Sequence, residues 1–249
     1  MKSKDVMTLD RVLSRYGLAS RADARAAITG GRFKVNGKVV RDPDCWVRPG
    51  LDVLHLDGKR LKPRHKTYVL LYKPKGIITS HGDPDGRKTV YDCLGGKLNW
   101  VAPVGRLDRD SSGLLLLSND TEFANLLTDP NSCVPKTYMV KVSSILPEET
   151  LAVLQSGVEI GRGERARPQT VRRLEDRGRH TWLEVVLTEG KNREIRRMIE
   201  AVGFKVLKLV RARIGPLSLE GLAPGEWRHL KPGEIIALRS RIKARSARF

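Results

Sequence analysis

Three segments of the sequence carry side chains that could take part in chemistry. In the stretch Gly105–Gly113, Asp108 lies among arginine, serine and glycine residues between two apolar runs. Tyr138 begins another apolar run, and Glu189–Met198 is a basic stretch with helical spacing. A carboxylate can act as a nucleophile or a base, but Asp, Ser and Gly are also what an ordinary turn contains. A strand tyrosine usually packs in a core, and helical arginines usually face solvent, so no segment is decisive alone.

The cysteines and histidines suggest neither a metal site nor a disulfide framework. Cys45, Cys93 and Cys133 are odd in number and widely spaced, which favours packed or surface thiols in a reducing compartment. The five histidines lack metal-ligand spacing, and no phosphate-binding loop is present. The sequence therefore predicts no metal and no cofactor. It has no secretory signal and no run of about 20 apolar residues, which predicts a cytoplasmic protein that does not enter a membrane.

The charge is strongly positive and unevenly distributed. The 249 residues include 47 Lys and Arg against 28 Asp and Glu, a net charge of +19. Residues 1–64 carry +8, residues 65–238 carry +6 and residues 239–249 carry +5. This balance favours a polyanionic partner, and nucleic acid is the first candidate. The asymmetry predicts a basic module over 1–62, a larger domain over 63–238 and a mobile basic tail over 239–249.

The N-terminal part has the pattern of two helices followed by a hairpin. Thr8 and Ser20 stand in N-cap positions before two amphipathic runs, and Asn36-Gly37 separates two short apolar runs. Since the module has few acids, its basic side chains are predicted to contact phosphates rather than to form only a solvated face. These residues are Arg11, Arg15, Arg21, Arg25, Arg32, Lys34 and Lys38.

The N-terminal pattern is similar to a known RNA-binding module. The run L-D-R-V-L-S-R-Y-G-L-A-S-R-A-D-A-R over 9–25, with the later V-N-G turn, resembles the S4 RNA-binding domain. The resemblance covers about residues 8–60. It implies binding of structured RNA through shape and backbone, with little reading of base edges.

From residue 67 onward, the pattern predicts an α+β domain with a large mixed, mainly antiparallel sheet. The continuous apolar run Leu114–Leu117 predicts a strand buried on both faces. Strands are predicted over 68–72, 77–79, 101–107, 113–118, 138–142, 182–187 and 206–210. Helices are predicted over 123–127, 147–155 and 193–201.

Taken together, the motifs of the large domain resemble those of one enzyme family. V-G-R-L-D-R-D-S-S-G-L-L-L-L-S-N-D over 104–120 resembles the signature of the pseudouridine synthases, in the G-R-L-D form of the branch that modifies ribosomal RNA. K-P-K-G-I-I-T-S, K-T-Y-M-V-K-V and E-G-K-N-R-E-I-R-R-M stand in the expected order. The resemblance implies a reaction that breaks the uracil N1–C1′ bond, turns the base and joins C5 to C1′ without a cofactor.

The resemblance also implies roles for particular residues. Asp108 is the essential carboxylate, and Arg196 is the arginine that pairs with it and keeps it ionised. Tyr138 stacks on the target base and helps to remove the C5 proton. Whether Asp108 attacks the sugar, attacks the base or removes a proton stays open. Residues expected to bind the substrate are Arg106, Ile195, Arg193 and Lys191, with Arg106 near the space that the flipped base leaves.

Two residues depart from the family pattern, and the choice of RNA is less specific than the chemistry. Glu194 stands where the family usually has Gln, and Lys191 stands where it more usually has Arg. The stretch 83–94 looks more like the large-subunit enzymes, which favours 23S rRNA, free or in a ribosome assembly intermediate, as the partner of a monomeric enzyme. Two alternatives are the same chemistry on 16S rRNA and a non-catalytic rRNA-binding assembly factor. A pure binder need not keep Asp108, Tyr138 and Arg196 together.

Overall fold

The structure, a computed structural model, describes residues 6–16, 18, 20–62, 65–96, 98 and 100–246, and the side chains only as far as residue 240. The expected domain boundary at 62/63 adjoins residues 63 and 64, which lie outside this description. The last three residues of the predicted tail lie outside it as well.

The N-terminal module consists of two helices and two small sheets around one apolar core. Its core includes Leu9, Leu13, Ile28 and Phe33, each at most 1% exposed. The strands β3-β2-β5-β6 form one sheet, and β1 pairs with β4. The elements are β1 Met7–Thr8, α1 Leu9–Arg15, α2 Arg21–Thr29, β2 Phe33–Val35, β3 Lys38–Val40, β4 Trp46–Val47, β5 Leu54–Leu56 and β6 Lys59–Arg60.

Local sequence signals account for the shape of this module. Asn36 and Gly37 have φ values of 49° and 84°, as a two-residue hairpin turn with right-handed strand twist requires. The Ser20 hydroxyl accepts a hydrogen bond from the Asp23 amide at 3.0 Å and so caps α2. Thr8 precedes α1, but its hydroxyl donates to the Asp10 carboxylate at 2.6 Å instead of capping the helix. The predicted hairpin and both helices are confirmed.

The larger domain is built on a mixed sheet of nine strands in the described part of the chain. Its strand order is β13-β14-β10-β15-β9-β7-β17, with β8 beside β9 and β16 beside β15. The strands are β7 Tyr68–Lys73, β8 Ala102–Val104, β9 Ser112–Ser118, β10 Lys136–Val142, β11 Val158–Glu159, β12 Arg165–Ala166, β13 Thr170–Arg177, β14 His180–Leu187, β15 Val206–Ile214, β16 Leu217–Ser218 and β17 Trp227–His229, of which β11 and β12 form a separate ribbon. The helices are α3 Val90–Leu94, α4 Thr121–Thr128, a 3₁₀ turn Pro130–Ser132, α5 Glu148–Ser156, α6 Glu194–Ala201 and α7 Pro232–Ser246. The α+β class and the mainly antiparallel sheet are confirmed.

The strand β9 lies at the centre of the sheet and contributes to the cores on both of its faces. Leu114 and Leu116 belong to one buried cluster, and Leu115 and Leu117 belong to the other. The strand runs antiparallel to β7 and parallel to β15, through the pairs Ser112–Val210 and Gly113–Arg211. The expectation of a strand buried on both faces is therefore confirmed. The parallel pairing brings the start of β9 beside the middle of β15.

Two predicted strands are shorter in the structure. The segment 77–79 makes only an isolated bridge between Ile78 and Thr89. At its end, the backbone N–H and C=O of Leu107 bond to the Thr79 hydroxyl and not to the Thr79 backbone. The strand predicted over 101–107 covers only 102–104, since Gly105 turns the chain with a φ of 74°.

The tail predicted from residue 239 does not begin as a separate segment, because residue 239 lies inside a helix. α7 begins with Pro232, which is favourable at the first helical position, and runs to Ser246. Leu238 is 1% exposed within the core that β9 shares with α4. The Arg239 guanidinium donates to the buried Asp120 carboxylate at 2.7 Å. These tertiary contacts hold the helix against the domain, and composition alone does not reveal them.

The contact between β9 and β15 gives a testable consequence at Gly113. This residue has a φ of 115°, and an added Cβ would lie 2.5 Å from the backbone nitrogen of Arg211 and closer still to its carbonyl oxygen. We expect Gly113→Ala to lower the free energy of unfolding by about 3 kcal/mol or more, which is about 6 °C or more in Tm. Gly82→Ala is the matched control, because a Cβ there meets nothing within 4 Å. Equal thermal unfolding of the two variants would contradict the proposed constraint.

Candidate active site

The loop that carries Asp108 is held by the carbonyl groups of five successive residues. The Leu107 carbonyl accepts from the Thr79 hydroxyl at 2.8 Å, and the Arg109 carbonyl accepts from the Gly76 amide at 2.8 Å. The Asp110 carbonyl accepts from the Arg196 guanidinium at 3.1 Å. The Asp108 and Ser111 carbonyls both accept from Lys73. Because every carbonyl from 107 to 111 accepts a hydrogen bond from a residue outside the loop, the backbone that carries the Asp108 carboxylate is fixed.

Lys73 is the buried group that ties this loop to the sheet. It ends β7, its residue is 0% exposed, and its Nζ donates to the carbonyls of Pro74 at 3.1 Å, Asp108 at 3.1 Å and Ser111 at 2.8 Å. Burial lowers the pKa of Lys73 to about 8, against the opposing charges of Asp108 and Asp110. Three carbonyl oxygens occupy the three donors of an ammonium group, so this cation is fully hydrogen-bonded although it is out of water.

The Asp108 side chain faces a cavity of about 380 Å³ between the loop, β10 and the start of α6. Its side chain is 37% exposed, and the guanidinium of Arg193 lies 3.8 Å from its Oδ2. Asp108 therefore keeps contact with the cavity while a positive charge lies beside it. The residues that line the cavity include Arg106, Leu107, Asp108, Lys136, Tyr138, Glu189, Lys191, Arg193, Glu194, Ile195, Leu209 and Arg211.

The structure changes the expected partner of Asp108. Arg196 was expected to pair with the carboxylate, but it is 9% exposed and donates to the backbone carbonyls of Asp110 and Val206. Arg193 makes the ion pair because it precedes α6 in the left-handed conformation, with a φ of 48°, which places it apart from the regular helix face. Arg196 instead anchors the loop from below. The helical spacing in the sequence predicted that the two arginines lie close together. It could not show that Arg193 adopts a left-handed backbone conformation.

Tyr138 and Ile195 contribute the apolar lining that the sequence predicted. Tyr138 is 9% exposed on β10, where Val185 and Arg211 are its neighbours on the two adjacent strands. Ile195 is 4% exposed in the first turn of α6. Both residues line the cavity together with Asp108. The three segments singled out in the sequence therefore meet at one site.

The other predicted substrate contacts differ in how free their side chains are. Arg106 is exposed where it lines the cavity. The Lys191 ammonium lies 2.8 Å from Glu189 and donates to the Arg165 carbonyl at 2.8 Å. A role of Lys191 in substrate binding stays a prediction. Its ammonium group would have to bind the substrate in addition to Glu189 and the Arg165 carbonyl.

Glu194 is a buried carboxyl at the edge of the cavity. It is 4% exposed, and its Oε2 accepts from the Lys191 amide at 3.0 Å. Burial, together with the adjacent Glu189, raises the pKa of Glu194 to about 7. Lys191 lowers the pKa of Glu189 despite the opposing effect of burial. The two acids thus share one site, with the negative charge on Glu189 and the proton on Glu194 below about pH 7.

Three structural groups of the site were not identified from the sequence. These are Lys73, Thr79 and Arg211, of which Arg211 is 4% exposed and donates to the Leu114 carbonyl at 2.7 Å. The sequence did offer one signal for Lys73. A lysine directly after the apolar run 68–72 continues a buried strand, so its charge lies inside the domain. Lys136 also lines the cavity, and burial together with Arg211 lowers its pKa.

The basic residues of the N-terminal module fall into two groups. Arg21, Arg25 and Arg32 form ion pairs with Asp10, Asp44 and Asp57. They were predicted as phosphate contacts, and each is still partly exposed. Arg11, Arg15, Lys34 and Lys38 are exposed. Contact of these seven side chains with RNA stays a prediction.

Within the described ranges, no group of three or more His, Cys, Asp and Glu side chains is arranged to hold a metal ion. The three cysteines are free and partly buried. No helix in the described part of the chain is long and apolar enough to cross a membrane.

Comparison with known families covers both parts of the chain. Residues 67–201 match the family described as RNA pseudouridylate synthase, and residues 7–53 match the S4 domain. The similarity thus includes the Asp108 loop, Tyr138 and α6, and it confirms both resemblances that the sequence motifs indicated.

Several whole proteins are similar over nearly their full length. Ribosomal large subunit pseudouridine synthase B of Bacillus subtilis is 40% identical over 93% of this chain and 95% of its own. The protein of the same name in Escherichia coli K12 is 38% identical over 94% of this chain and 83% of its own. An RNA pseudouridine synthase of Aquifex aeolicus is 40% identical over 92% of each chain.

A solved structure agrees with these sequence relationships. A crystal structure of a pseudouridylate synthase matches with a TM-score of 0.66 and 28% identity, over 93% of this chain and 99% of that one. The fold, the matched catalytic region and the full-length relatives lead to the same assignment. The chain belongs to the RNA pseudouridylate synthase family and joins that enzyme's catalytic domain to an S4 domain.

Proposed function

We propose that this enzyme isomerises a uridine of 23S ribosomal RNA, with Asp108 as the essential carboxylate. The observation that carries the proposal is the partly exposed Asp108 side chain, which faces a cavity of about 380 Å³ from a loop whose backbone is fixed. The choice of 23S rRNA is supported by the two similar enzymes named for the large ribosomal subunit.

The cavity accounts for how a uridine is bound. Its volume falls in the range of pockets that hold one small ligand, so it has room for one nucleoside but not for a stacked RNA helix. The target nucleoside must therefore leave the RNA stack before it enters the cavity. The Tyr138 ring and the Ile195 side chain provide apolar surface in the cavity for a flat base. Arg106 is exposed beside the cavity and is placed to contact the RNA that the base leaves. Lys136 and Arg193 add positive charge where a phosphate must approach.

The reaction breaks one bond to C1′, forms another and moves a proton, and a carboxylate such as that of Asp108 can serve as the nucleophile or the base for these steps. The N1–C1′ bond breaks, the uracil turns while it is held in the cavity, and a C5–C1′ bond forms. C5 then loses its proton and N1 ends with one, so the product is an isomer of the substrate. Asp108 attacks the sugar or the base, or removes the proton, and each role requires its carboxylate to reach the bound nucleoside.

The two arginines then have separate tasks. Arg193, at 3.8 Å from Asp108, stabilises and directs the carboxylate from the solvent side. Arg196 acts as a positioning residue through the Asp110 carbonyl. A 1 Å displacement of a reacting group can cost about 100-fold in rate, so the anchors below the loop matter although they do not touch the nucleoside.

We expect Asp108→Asn to abolish the release of tritium from C5-labelled uridine in rRNA. The amide cannot act as a nucleophile or a base, whereas its size preserves the loop and RNA binding. Asp110→Asn is the matched control, because the loop uses the Asp110 carbonyl and not its carboxylate. Tritium release at the normal rate by Asp108→Asn would contradict the proposed role. We expect Asp110→Asn to keep full activity. That result would show that the loss in Asp108→Asn comes from Asp108 itself and not from removing a negative charge from the loop.

The RNA substrate is tested by mapping pseudouridines in the 23S and 16S rRNA of cells that lack this protein. We expect one or a few pseudouridines to disappear from 23S rRNA and to return when the protein is supplied again. Return with the unchanged protein but not with Asp108→Asn links the loss to catalysis. A loss confined to 16S rRNA would overturn the choice of subunit. An unchanged pattern in both would favour the non-catalytic alternative.

Lys73→Met should lower kcat by about tenfold or more while leaving rRNA affinity within about twofold. The substitution keeps the length of the side chain but removes three hydrogen bonds, two of them to the Asp108 loop. Affinity is spared because Lys73 is 0% exposed and cannot touch RNA. The measurement is single-turnover kinetics at saturating rRNA, with Tm recorded to exclude unfolding. Lys75→Met, an exposed change two residues away, is the control; equal kcat for both variants would show that the loop holds without Lys73.

Glu194→Gln should stabilise the protein more at pH 8 than at pH 5. With its pKa raised to about 7, Glu194 keeps its proton in the folded state between about pH 4.5 and 7, where the unfolded chain loses it. Stability therefore falls as pH rises through this window, by about 3 kcal/mol, and Gln avoids that loss. Thermal unfolding at both pH values measures the difference. Glu200→Gln on the exposed side of α6 is the control, and a gain that does not depend on pH would contradict the argument.

A further inference from the structure

Trp46 presents its ring to solvent on the N-terminal module. It is 65% exposed, whereas the next residue of β4, Val47, is 2% exposed. The two side chains of a strand alternate between its faces, so Val47 faces the core and Trp46 faces outward. A single exposed apolar side chain is common on proteins. The groups that surround Trp46 are what give this one a function.

The strand neighbour of Trp46 connects it to two arginines. Thr8 is directly opposite Trp46 in the β1–β4 pair, so both side chains lie on the same face. The Thr8 hydroxyl donates to Asp10 at 2.6 Å. The Asp10 carboxylate is 0% exposed and accepts from Arg21 at 2.8 Å and Arg25 at 3.3 Å. Thr8, the strand partner of Trp46, is thus linked through Asp10 to two guanidinium groups.

These guanidinium groups are fixed but still open to solvent. Arg25 also binds Asp44, two residues before Trp46, through two hydrogen bonds of 2.9 and 3.0 Å. The side chains of Arg21 and Arg25 remain 56% and 43% exposed. Each therefore keeps donors available on its outer side while its inner side is held by a carboxylate. Such preorganised cations lose little freedom on binding an anion.

An exposed aromatic ring and two fixed guanidinium groups on the same module match the chemistry of a nucleotide. A base stacks on an indole, and its phosphate accepts hydrogen bonds from guanidinium groups. A protein partner with an apolar surface would need a wider uncharged area to bind. Here the exposed apolar surface is a single ring, and charged residues lie nearby. The net charge of +8 on residues 1–64 also favours a polyanion over a protein. Base-paired RNA does not offer a free base face, so the nucleotide must be unpaired.

We propose that Trp46, with Arg21 and Arg25, binds one unpaired nucleotide of the RNA outside the reaction cavity. This site rests on the proposed action on RNA and adds to it a requirement for a single-stranded element in the substrate. The base stacks on the Trp46 ring, and the adjacent phosphate is held by the arginines. The site contributes affinity and register, and it makes no contact with the isomerised uridine.

The first test compares binding of the full-length protein to two RNA probes, a 20-nucleotide oligoadenylate and a 20-base-pair duplex. We expect Trp46→Ala to weaken oligoadenylate binding by about 5- to 100-fold, as the loss of one base–aromatic stack predicts. Duplex affinity should stay within about twofold. Trp46→Phe should retain most of the affinity because the ring is kept. Val39→Ala, another exposed apolar residue of the module, should bind both probes normally.

Two further readouts separate stacking from other effects. The slope of log K against log salt for oligoadenylate should not change in Trp46→Ala, since the ring neutralises no phosphate. With rRNA as substrate, this variant should show a raised KM and an unchanged kcat, whereas Asp108→Asn should lose turnover and keep its affinity for rRNA. Failure of the proposed rRNA substrate would leave the oligoadenylate result intact, so the two proposals can fail separately.

Three outcomes would overturn the site. Equal losses on the two probes would show a general effect on the module, and no loss on oligoadenylate would show that the ring does not stack. A dimer that becomes monomeric in Trp46→Ala, seen by light scattering without RNA, would assign the ring to self-association. Thermal unfolding of each variant confirms that the module remains folded.

Discussion

The structure of the active site depends on a buried lysine ammonium. Lys73 ends strand β7 with no exposure to water, and its three hydrogen bonds to carbonyl oxygens offset much of the cost of desolvating the charge. If these carbonyls turned away, both the lysine and the loop would be left with buried polar groups that lack partners. The position of the Asp108 backbone is therefore coupled to the stability of the core, and the loop has one low-energy arrangement.

The parallel contact of β9 with β15 supplies the second constraint, because it brings distant parts of the chain to this loop. Gly113 lets the two backbones approach at the point where Arg211 crosses, and Arg211 then reaches the Leu114 carbonyl. β15 follows α6 directly, so its register also sets the position of Arg196 below Asp110 and of Arg193 beside Asp108. Small residues and buried cations thus bring the start of β9, the end of β7 and the start of α6 to one cavity.

The sequence predicts those features that depend on local pattern, and it fails where tertiary contacts decide. The Asn36-Gly37 hairpin and the leucine strand β9 are recovered because turn conformation and burial on both faces are written in neighbouring residues. The partner of Asp108 is not, since Arg193 and Arg196 have the same side chain and differ only through one left-handed backbone residue. The helix after residue 232 is missed because its many basic residues suggest a solvated tail, while Leu238 and Arg239 show their role only against α4 and Asp120.

The net charge of +19 overstates the positive surface that RNA can meet. Arg196 and Arg211 are buried and donate to backbone carbonyls inside the domain, and Arg239 neutralises a buried aspartate. In the N-terminal module, by contrast, the paired arginines remain half exposed, so their acids orient them without removing them from the surface. The paired arginines of the module therefore lie at the surface, where a polyanion can reach them, whereas Arg196 lies inside the catalytic domain and holds the Asp108 loop through the Asp110 carbonyl. The two groups of arginines differ in what they can contact, because the first is exposed and the second is buried.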